Sequence, residues 1–263
     1  MDFFKRDLAP ITDKAWQEID DRAKDVLETQ LAARRAVNVV GPEGLEFTAL
    51  SEGRLENIEE DETGVKNGVY KVKPLTESRI SFELNRWELD NIERGAADID
   101  LEPLEDAVKS IALFEDNAIL NGLESADITG IKGEAAHVFE LGEDSSSILE
   151  NISKGTLLLK DAMTEKPYIL IVGETTWTHI NTQGKGYPLT RRIKELTGSE
   201  ILTSKAVSGA VLVPQNHEDL EFTIGQDLAI GYEKHDSKRV TLFITESFTF
   251  RVLDPEIIVR YTL

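Results

Sequence analysis

Apolar residues at helical spacing predict three helices. Thr12 is a suitable N-cap, and Asp13 stands in the first turn of a helix predicted to run to about Ala36. Its apolar stripe consists of Trp16, Ile19, Ala23, Val26, Leu27 and Leu31. A second amphipathic helix is predicted over 100–121, with Pro103 near its start and Gly122 as its stop, and a third over 147–159.

Shorter apolar patterns predict the strands. Ile80, Phe82 and Leu84 alternate with polar residues, while the run 168–173 is apolar throughout and predicts a buried strand. Further strands are predicted over 206–213 and 240–252, with a turn at 214–217. The acidic run 56–62, which ends at Thr63-Gly64, predicts the tip of a long hairpin. Helices mixed with strands from distant parts of the chain favour interleaved domains.

Composition narrows the class of protein. The 263 residues carry a formal net charge of −20, so DNA or RNA is not expected as a partner, and self-association must overcome repulsion. No run of about 18 apolar residues occurs, so neither a membrane span nor a membrane partner is expected. Residues 1–13 show no secretory signal, and the chain has no cysteine, so a cytoplasmic location is predicted.

The sequence offers few candidates for catalytic or metal-binding residues. The histidines, at 137, 179, 217 and 235, lack the spacing of a metal site. Glu115 and Asp116 are adjacent on a predicted helix, where side chains point about 100° apart, so they cannot flank one bond as acid and base. Nucleophile-elbow, dinucleotide-binding and Walker motifs are absent. We therefore expect no enzymatic activity, no metal and no required cofactor.

Several motifs carry a family resemblance. They are Phe4–Pro10, the segment Arg86–Gly95 around Trp87, Phe114-Glu115-Asp116, Gly186-Tyr187-Pro188, Ile224–Tyr232 and Thr245–Phe250. Because these motifs occur in the order and spacing typical of encapsulins, the chain resembles an encapsulin essentially from end to end. Encapsulins are bacterial and archaeal shell proteins.

The resemblance implies an α+β fold of the Hong-Kong-97-type tailed-phage capsid class. It divides the chain into an N-terminal helix and arm of the P-domain (1–48), an E-loop (49–73), the P-domain with its spine helix (74–135), an A-domain (136–217), P-domain return strands (218–252) and a C-terminal A-domain segment (253–263). Such subunits form an icosahedral homo-oligomer, here expected to be the smallest shell.

The resemblance also implies a partner and sites. The partner is a cargo enzyme, a dye-decolorising peroxidase or a ferritin-like iron-storage protein, bound through its C-terminal targeting peptide. By position, that peptide would contact Leu27, Leu31, Arg34, Asn38, Val40, Leu228, Ile230 and Tyr232, and Asn38 replaces an acidic residue of some relatives. A five-fold pore would be lined by Thr182, Gln183, Gly184, Lys185, Gly186 and Tyr187. Trp87 would either anchor subunit packing, the favoured interpretation, or stack on a flavin.

The sequence alone leaves two other functions open. A prophage major capsid protein shares the fold but packages DNA, which the charge of −20 disfavours. A peptidase or bacteriocin-like hydrolase, described for some relatives, would need a catalytic constellation that the motifs do not provide.

Overall fold

A computed structural model of the chain describes residues 3–183 and 186–263. In these residues the helices are α1 (Asp13–Gln30), α2 (Arg86–Arg94), α3 (Glu102–Asn121), α4 (Ile131–Glu134), α5 (Ser145–Asp161), α6 (Glu174–Thr182) and α7 (Leu189–Thr197). The strands are β1 (Val37–Val40), β2 (Ala49–Glu60), β3 (Lys66–Pro74), β4 (Thr76–Asn85), β5 (His137–Glu140), β6 (Tyr168–Val172), β7 (Leu202–Thr203), β8 (Ala210–Pro214), β9 (His217–Ile224), β10 (Ala229–His235), β11 (Arg239–Val252) and β12 (Val259–Thr262).

The strands form two five-stranded sheets and a separate hairpin. The first sheet has the order β1-β9-β11-β10, and β4 also pairs with β11; the second has the order β5-β12-β8-β6-β7. The long strand β11 organises the first sheet, because its first ten residues pair with β4 and its last five pair with β9. The first sheet combines segments from the first 90 residues and the last 50 of the chain.

Two apolar cores hold these layers together. One packs α1, α2 and α3 against the first sheet, with Ile19, Leu104 and Val240 among its fully buried residues. The other lies around the second sheet and α5 and includes Phe222 and Phe248 from β9 and β11. Since β9 and β11 contribute to both the first sheet and the second core, these strands join the two halves of the chain.

The first helix begins as predicted but ends early. The Thr12 hydroxyl accepts a hydrogen bond from the Ala15 N–H at 3.3 Å, which confirms the cap. Helix α1 stops at Gln30 instead of about Ala36, because the Asp116 carboxylate accepts the N–H groups of Ala32 at 3.2 Å and Ala33 at 2.9 Å. The chain continues as a 3-10 turn, Ala33–Arg35, into β1. The prediction of a continuous helix to Ala36 was wrong.

The long central helix matches its prediction closely. It spans Glu102–Asn121 and ends at Gly122, whose φ is +96°. A Cβ atom at Gly122 would lie 2.4 Å from the Thr129 carbonyl oxygen and 2.6 Å from that of Ile128. Only glycine therefore fits this helix end without backbone movement.

The hairpin is confirmed, although its tip is shorter than predicted. Among the described residues, strands β2 and β3 pair only with each other, and Glu56 to Glu60 belong to β2. The turn is 61–65, where Asp61 Oδ1 accepts from the N–H groups of Thr63 at 2.8 Å and Val65 at 2.9 Å.

Two regions differ from the pattern-based prediction. Helices α6 and α7, nine residues each, were not predicted; they flank the predicted pore segment 182–187, and α6 extends into it at Thr182. The predicted strand 206–213 begins only at Ala210, and the predicted turn 214–217 shrinks to Gln215-Asn216 because β9 already starts at His217. No helix of the described chain is sufficiently long and apolar to cross a membrane.

Candidate cargo groove and its surroundings

A groove of about 370 Å³ lies between α1 and the first sheet. Its polar rim is formed by Arg6, Asp20 and Lys24, and Arg6 Nη2 lies 2.7 Å from Asp20 Oδ2. Its walls are aliphatic: Ala23, Leu27, Val108, Leu228, Ala229, Ile230 and Ile244. An open aliphatic trough with a charged rim suits a short apolar peptide segment better than a polar metabolite.

The structure brings some of the predicted contact residues together in this groove. Leu27, Leu228 and Ile230 line it. Tyr232 lies two residues further along β10 and packs against the same core, and its hydroxyl lies 2.6 Å from His235 Nδ1. Leu31 is the C-cap of α1 and lies outside the lining.

Two predicted residues lie on another strand. Asn38 and Val40 belong to β1, where they pair with Glu221 and Thr223 of β9. Strands β9 and β11 separate β1 from β10, so Asn38 and Val40 do not line the groove. Sequence reasoning left out the rim residues Arg6, Asp20 and Lys24 and the wall residues Ala23, Val108, Ala229 and Ile244. Helical periodicity could have identified Ala23 and Val108, because both belong to the apolar stripes of their helices.

Arg34 is held in a buried charge cluster beside the groove. Its Nε donates to Glu115 Oε1 at 2.8 Å and Oε2 at 2.7 Å, and its Nη1 donates to Asp227 Oδ1 at 2.7 Å. Its Nη2 donates to Glu246 Oε2 at 3.3 Å. The Arg34 side chain is only 16% exposed, so the guanidinium is largely engaged within the subunit.

The cluster shifts the pKa values of its members. Burial by itself would lower the pKa of Arg34, but the hydrogen bond and charge of Glu115, followed by the charge of Asp227, outweigh burial and raise it. Burial, then the charge of Glu115, raises the pKa of Glu246 well above its ordinary value. The neighbouring Asp116 accepts backbone hydrogen bonds from the turn that follows α1, and burial raises the pKa of Asp116 to about 6.

The predicted pore segment is only partly described. Gly184 and Lys185 lie outside the described residues. Thr182 ends α6, and Gln183 is its C-cap. Gly186 has φ +110°, and the Tyr187 hydroxyl donates to Glu195 Oε1 at 2.7 Å. The role of this segment in a pore stays a prediction.

Trp87 lies on the surface of α2. The Asn85 side chain caps this helix by accepting the Trp87 N–H at 2.9 Å, and Trp87 is 66% exposed. The Arg94 guanidinium lies 5.5 Å from the ring centroid. An exposed indole is available for subunit packing, while no observation supports a flavin there, so both roles stay predictions. No group of three or more acidic or histidine side chains in residues 3–183 and 186–263 is arranged to hold a metal ion.

Known proteins resemble this chain over nearly its full length. The family described as "Encapsulating protein for peroxidase" matches residues 1–249. A "Type 1 encapsulin shell protein" of Rhodospirillum rubrum is 36% identical, with 97% of this chain and 95% of the relative covered. The protein of that name from Mycobacterium tuberculosis is 35% identical, with 93% of each chain covered.

Solved structures share the fold at low sequence identity. A virus-like particle from Pyrococcus furiosus matches with a TM-score of 0.67 and 15% identity, over 94% of this chain and 98% of the other. The capsid of the Myoviridae phage XM1 matches with a TM-score of 0.55 and 13% identity, over 86% and 89%. These likenesses confirm the predicted capsid-type fold. The chain belongs to the encapsulin family of shell proteins.

Proposed function

We propose that copies of this chain close into an icosahedral shell around a cargo enzyme, whose C-terminal segment docks in the groove beside α1. The observation that carries the docking proposal is the open aliphatic trough of Leu27, Leu228 and Ile230. The family's description, which refers to a peroxidase, supports a peroxidase as cargo, and a ferritin-like iron-storage protein is the other candidate. The chain itself would have a structural role, because its relatives are named as shell proteins. A cytoplasmic location belongs to the same proposal and is supported by the lack of cysteine.

One face of the β2–β3 hairpin supports contact between copies. Leu55 pairs with Tyr70 and therefore shares its face. A Cβ atom added at Gly68 would lie 3.5 Å from the Leu55 side chain and 3.3 Å from the Ile58 side chain. Both residues therefore lie on this face as well. Val72 follows by strand alternation. Tyr70 is 71% exposed and Ile58 65%, so the isolated subunit leaves this apolar face uncovered.

Near the base of the hairpin, the opposite face is charged and turns toward its own subunit. Lys71 Nζ lies 2.8 Å from Glu52 Oε2, and both residues line a cleft against Phe250 and Leu253 of the same chain. The apolar face therefore points away from the body. Because an isolated two-stranded hairpin is marginally stable in water, we infer that a neighbouring copy covers this face.

A matched pair of substitutions tests the assembly part. Tyr70→Lys places a charge on the apolar face, whereas Val69→Lys places it on the opposite face, across from Glu56. We expect Tyr70→Lys to leave small oligomers and Val69→Lys to form closed particles, both judged by size-exclusion chromatography and negative-stain electron microscopy. Closed particles from both variants would refute the assignment of this face. Nucleic acid bound in purified particles would favour the prophage-capsid alternative.

Co-expression with a cargo enzyme tests the docking part. The probe is a dye-decolorising peroxidase with its native C-terminal segment, compared with the same enzyme lacking that segment. Leu228→Asp combined with Ile230→Asp should abolish co-purification of the peroxidase while particles still form. Lys234→Asp, on the exposed end of the same strand, is the control and should retain cargo. Undiminished cargo in the double variant would contradict docking in this groove.

A further inference from the structure

The cluster around Arg34 joins four separate parts of the fold. Arg34 comes from the 3-10 turn after α1, Glu115 from α3, Glu246 from β11, and Asp227 from the connection between β9 and β10. Glu115 is 0% exposed and Glu246 is 1% exposed. The Asp227 side chain is 45% exposed and stands at the edge of the cluster. Arg34 therefore links a partly exposed connection to two fully buried anchors.

The cluster contains three carboxylates and one cation. In the described part of the chain, Arg34 is the only cation within ion-pair distance of Glu115, Glu246 or Asp227. The remaining contact to Glu246 is uncharged, since the Ser78 hydroxyl of β4 donates to its Oε1 at 3.2 Å. Two buried carboxylates cannot both stay ionised beside one shared guanidinium without a large cost. A proton on Glu246, hydrogen-bonded to Glu115, relieves this excess of negative charge, in agreement with the raised pKa of Glu246.

The exposed end of the cluster adjoins the groove. Asp227 Oδ1, which accepts the Arg34 Nη1 bond, also accepts the N–H of the next residue, Leu228, at 2.8 Å. Leu228 lines the groove, and β10 begins at Ala229. The bond from Arg34 therefore fixes the start of the groove wall.

We propose that Arg34 is a positioning residue, which holds the groove wall at Asp227 against α3 and β11, and that this tether is intact only while Glu246 carries its proton. When Glu246 ionises, its charge repels Glu115 and competes with Asp227 for the guanidinium, so the wall loosens. The relevance of this wall to cargo rests on the proposed function, whereas the tether is a property of the subunit itself.

The sign of the pH dependence follows from the cluster. The folded chain holds the Glu246 proton above the ordinary pKa of a glutamate, so the folded state binds more protons than the unfolded state in that window. Stability of the cluster therefore falls as the pH rises through the window, so a rising pH is the condition that loosens the wall.

Hydrogen–deuterium exchange of segment 225–232 on purified protein tests the tether. After correction for the intrinsic exchange rate, we expect wild-type protection to fall as the pH rises from the ordinary pKa of a glutamate to the raised pKa of Glu246, by at most about tenfold per pH unit. Glu246→Gln, which keeps the shape without the titratable proton, should flatten this profile. Glu221→Gln is the control, because Glu221 pairs with Arg251 outside the cluster at 3.0 Å and should leave the profile unchanged.

A second variant keeps the test decisive if Glu246→Gln does not fold. Asp227→Asn weakens the tether at its exposed end, so protection of segment 225–232 should drop at every pH while α3 stays protected. Unchanged protection in Asp227→Asn, or a wild-type profile retained in Glu246→Gln, would overturn the proposal. Because exchange is measurable on unassembled subunits as well as particles, failure of the tether can be told apart from failure of shell assembly.

Discussion

Asp116 offers a quantitative test of the buried charges. Its carboxylate accepts the N–H of Ala33 at 2.9 Å and the hydroxyl of Ser204 at 2.7 Å, and the residue is only 2% exposed. Replacing it by asparagine retains an oxygen acceptor of similar size and removes the titratable charge. The comparison of Asp116→Asn with the wild type therefore isolates the cost of burying this ionised carboxylate.

The size and sign of the effect follow from the pKa of Asp116. Burial raises it from 3.8 to about 6, despite hydrogen bonds that favour the charged form. A shift of roughly two units corresponds to about 3 kcal/mol. Because the folded pKa exceeds the unfolded one, wild-type stability falls as the pH rises through this window. The variant lacks this loss, so its stability relative to wild type should improve by about 3 kcal/mol between about pH 4 and pH 7.

Denaturant unfolding followed by tryptophan fluorescence measures this difference at matched protein concentration. Any pH-independent effect of the asparagine amide on the free energy of unfolding cancels, because only the change with pH in the difference between variant and wild type is compared. Asp144→Asn is a control of opposite sign, because backbone hydrogen bonds, first from Ser147 and then from Ser146, lower the pKa of Asp144. The wild type should lose stability relative to that control as the pH falls. A pH-independent difference between Asp116→Asn and wild type would refute the linkage argument.

Further predictions concern packing and the groove. Gly155→Ala should destabilise the subunit by about 2–4 kcal/mol in denaturant unfolding, because the new Cβ would lie 2.0 Å from the Tyr261 hydroxyl oxygen. Adding Tyr261→Phe removes that oxygen, and failure to recover stability in the double variant would refute the clash. Gly122→Ala should lower soluble yield strongly, since carbonyl oxygens within 2.6 Å block its Cβ, and a normal thermal midpoint would contradict this. Leu228→Asp alone should reduce cargo retention measurably, and retention equal to wild type, quantified by densitometry, would count against the groove.

Periodicity predicted the elements that bury a continuous apolar face. The helices α1, α3 and α5, the buried strand β6 and the long strand β11 were all placed within a few residues, apart from the end of α1. That end depends on Asp116, a carboxylate 83 residues distant from Ala33 in sequence, which no local pattern can show. The short helices α6 and α7 were missed because nine residues give few repeats of the helical period.

The candidate site was predicted only in part, and for a similar reason. Family motifs identified Leu27, Leu228 and Ile230, which the fold brings to one groove. They also suggested Arg34 as a peptide contact, whereas its guanidinium is engaged by Glu115 and Asp227. Glu115 is 81 residues from Arg34 and Asp227 is 193, so only the folded chain reveals the cluster.

Assembly of this chain into a closed shell can be tested by imaging of the purified protein. The chain would be expressed alone and examined by size-exclusion chromatography and negative-stain electron microscopy across a range of salt concentrations. We expect hollow particles of uniform size, which salt favours by screening the charge of −20 on each copy. A monomer or small oligomer at every salt concentration would contradict containment as the function.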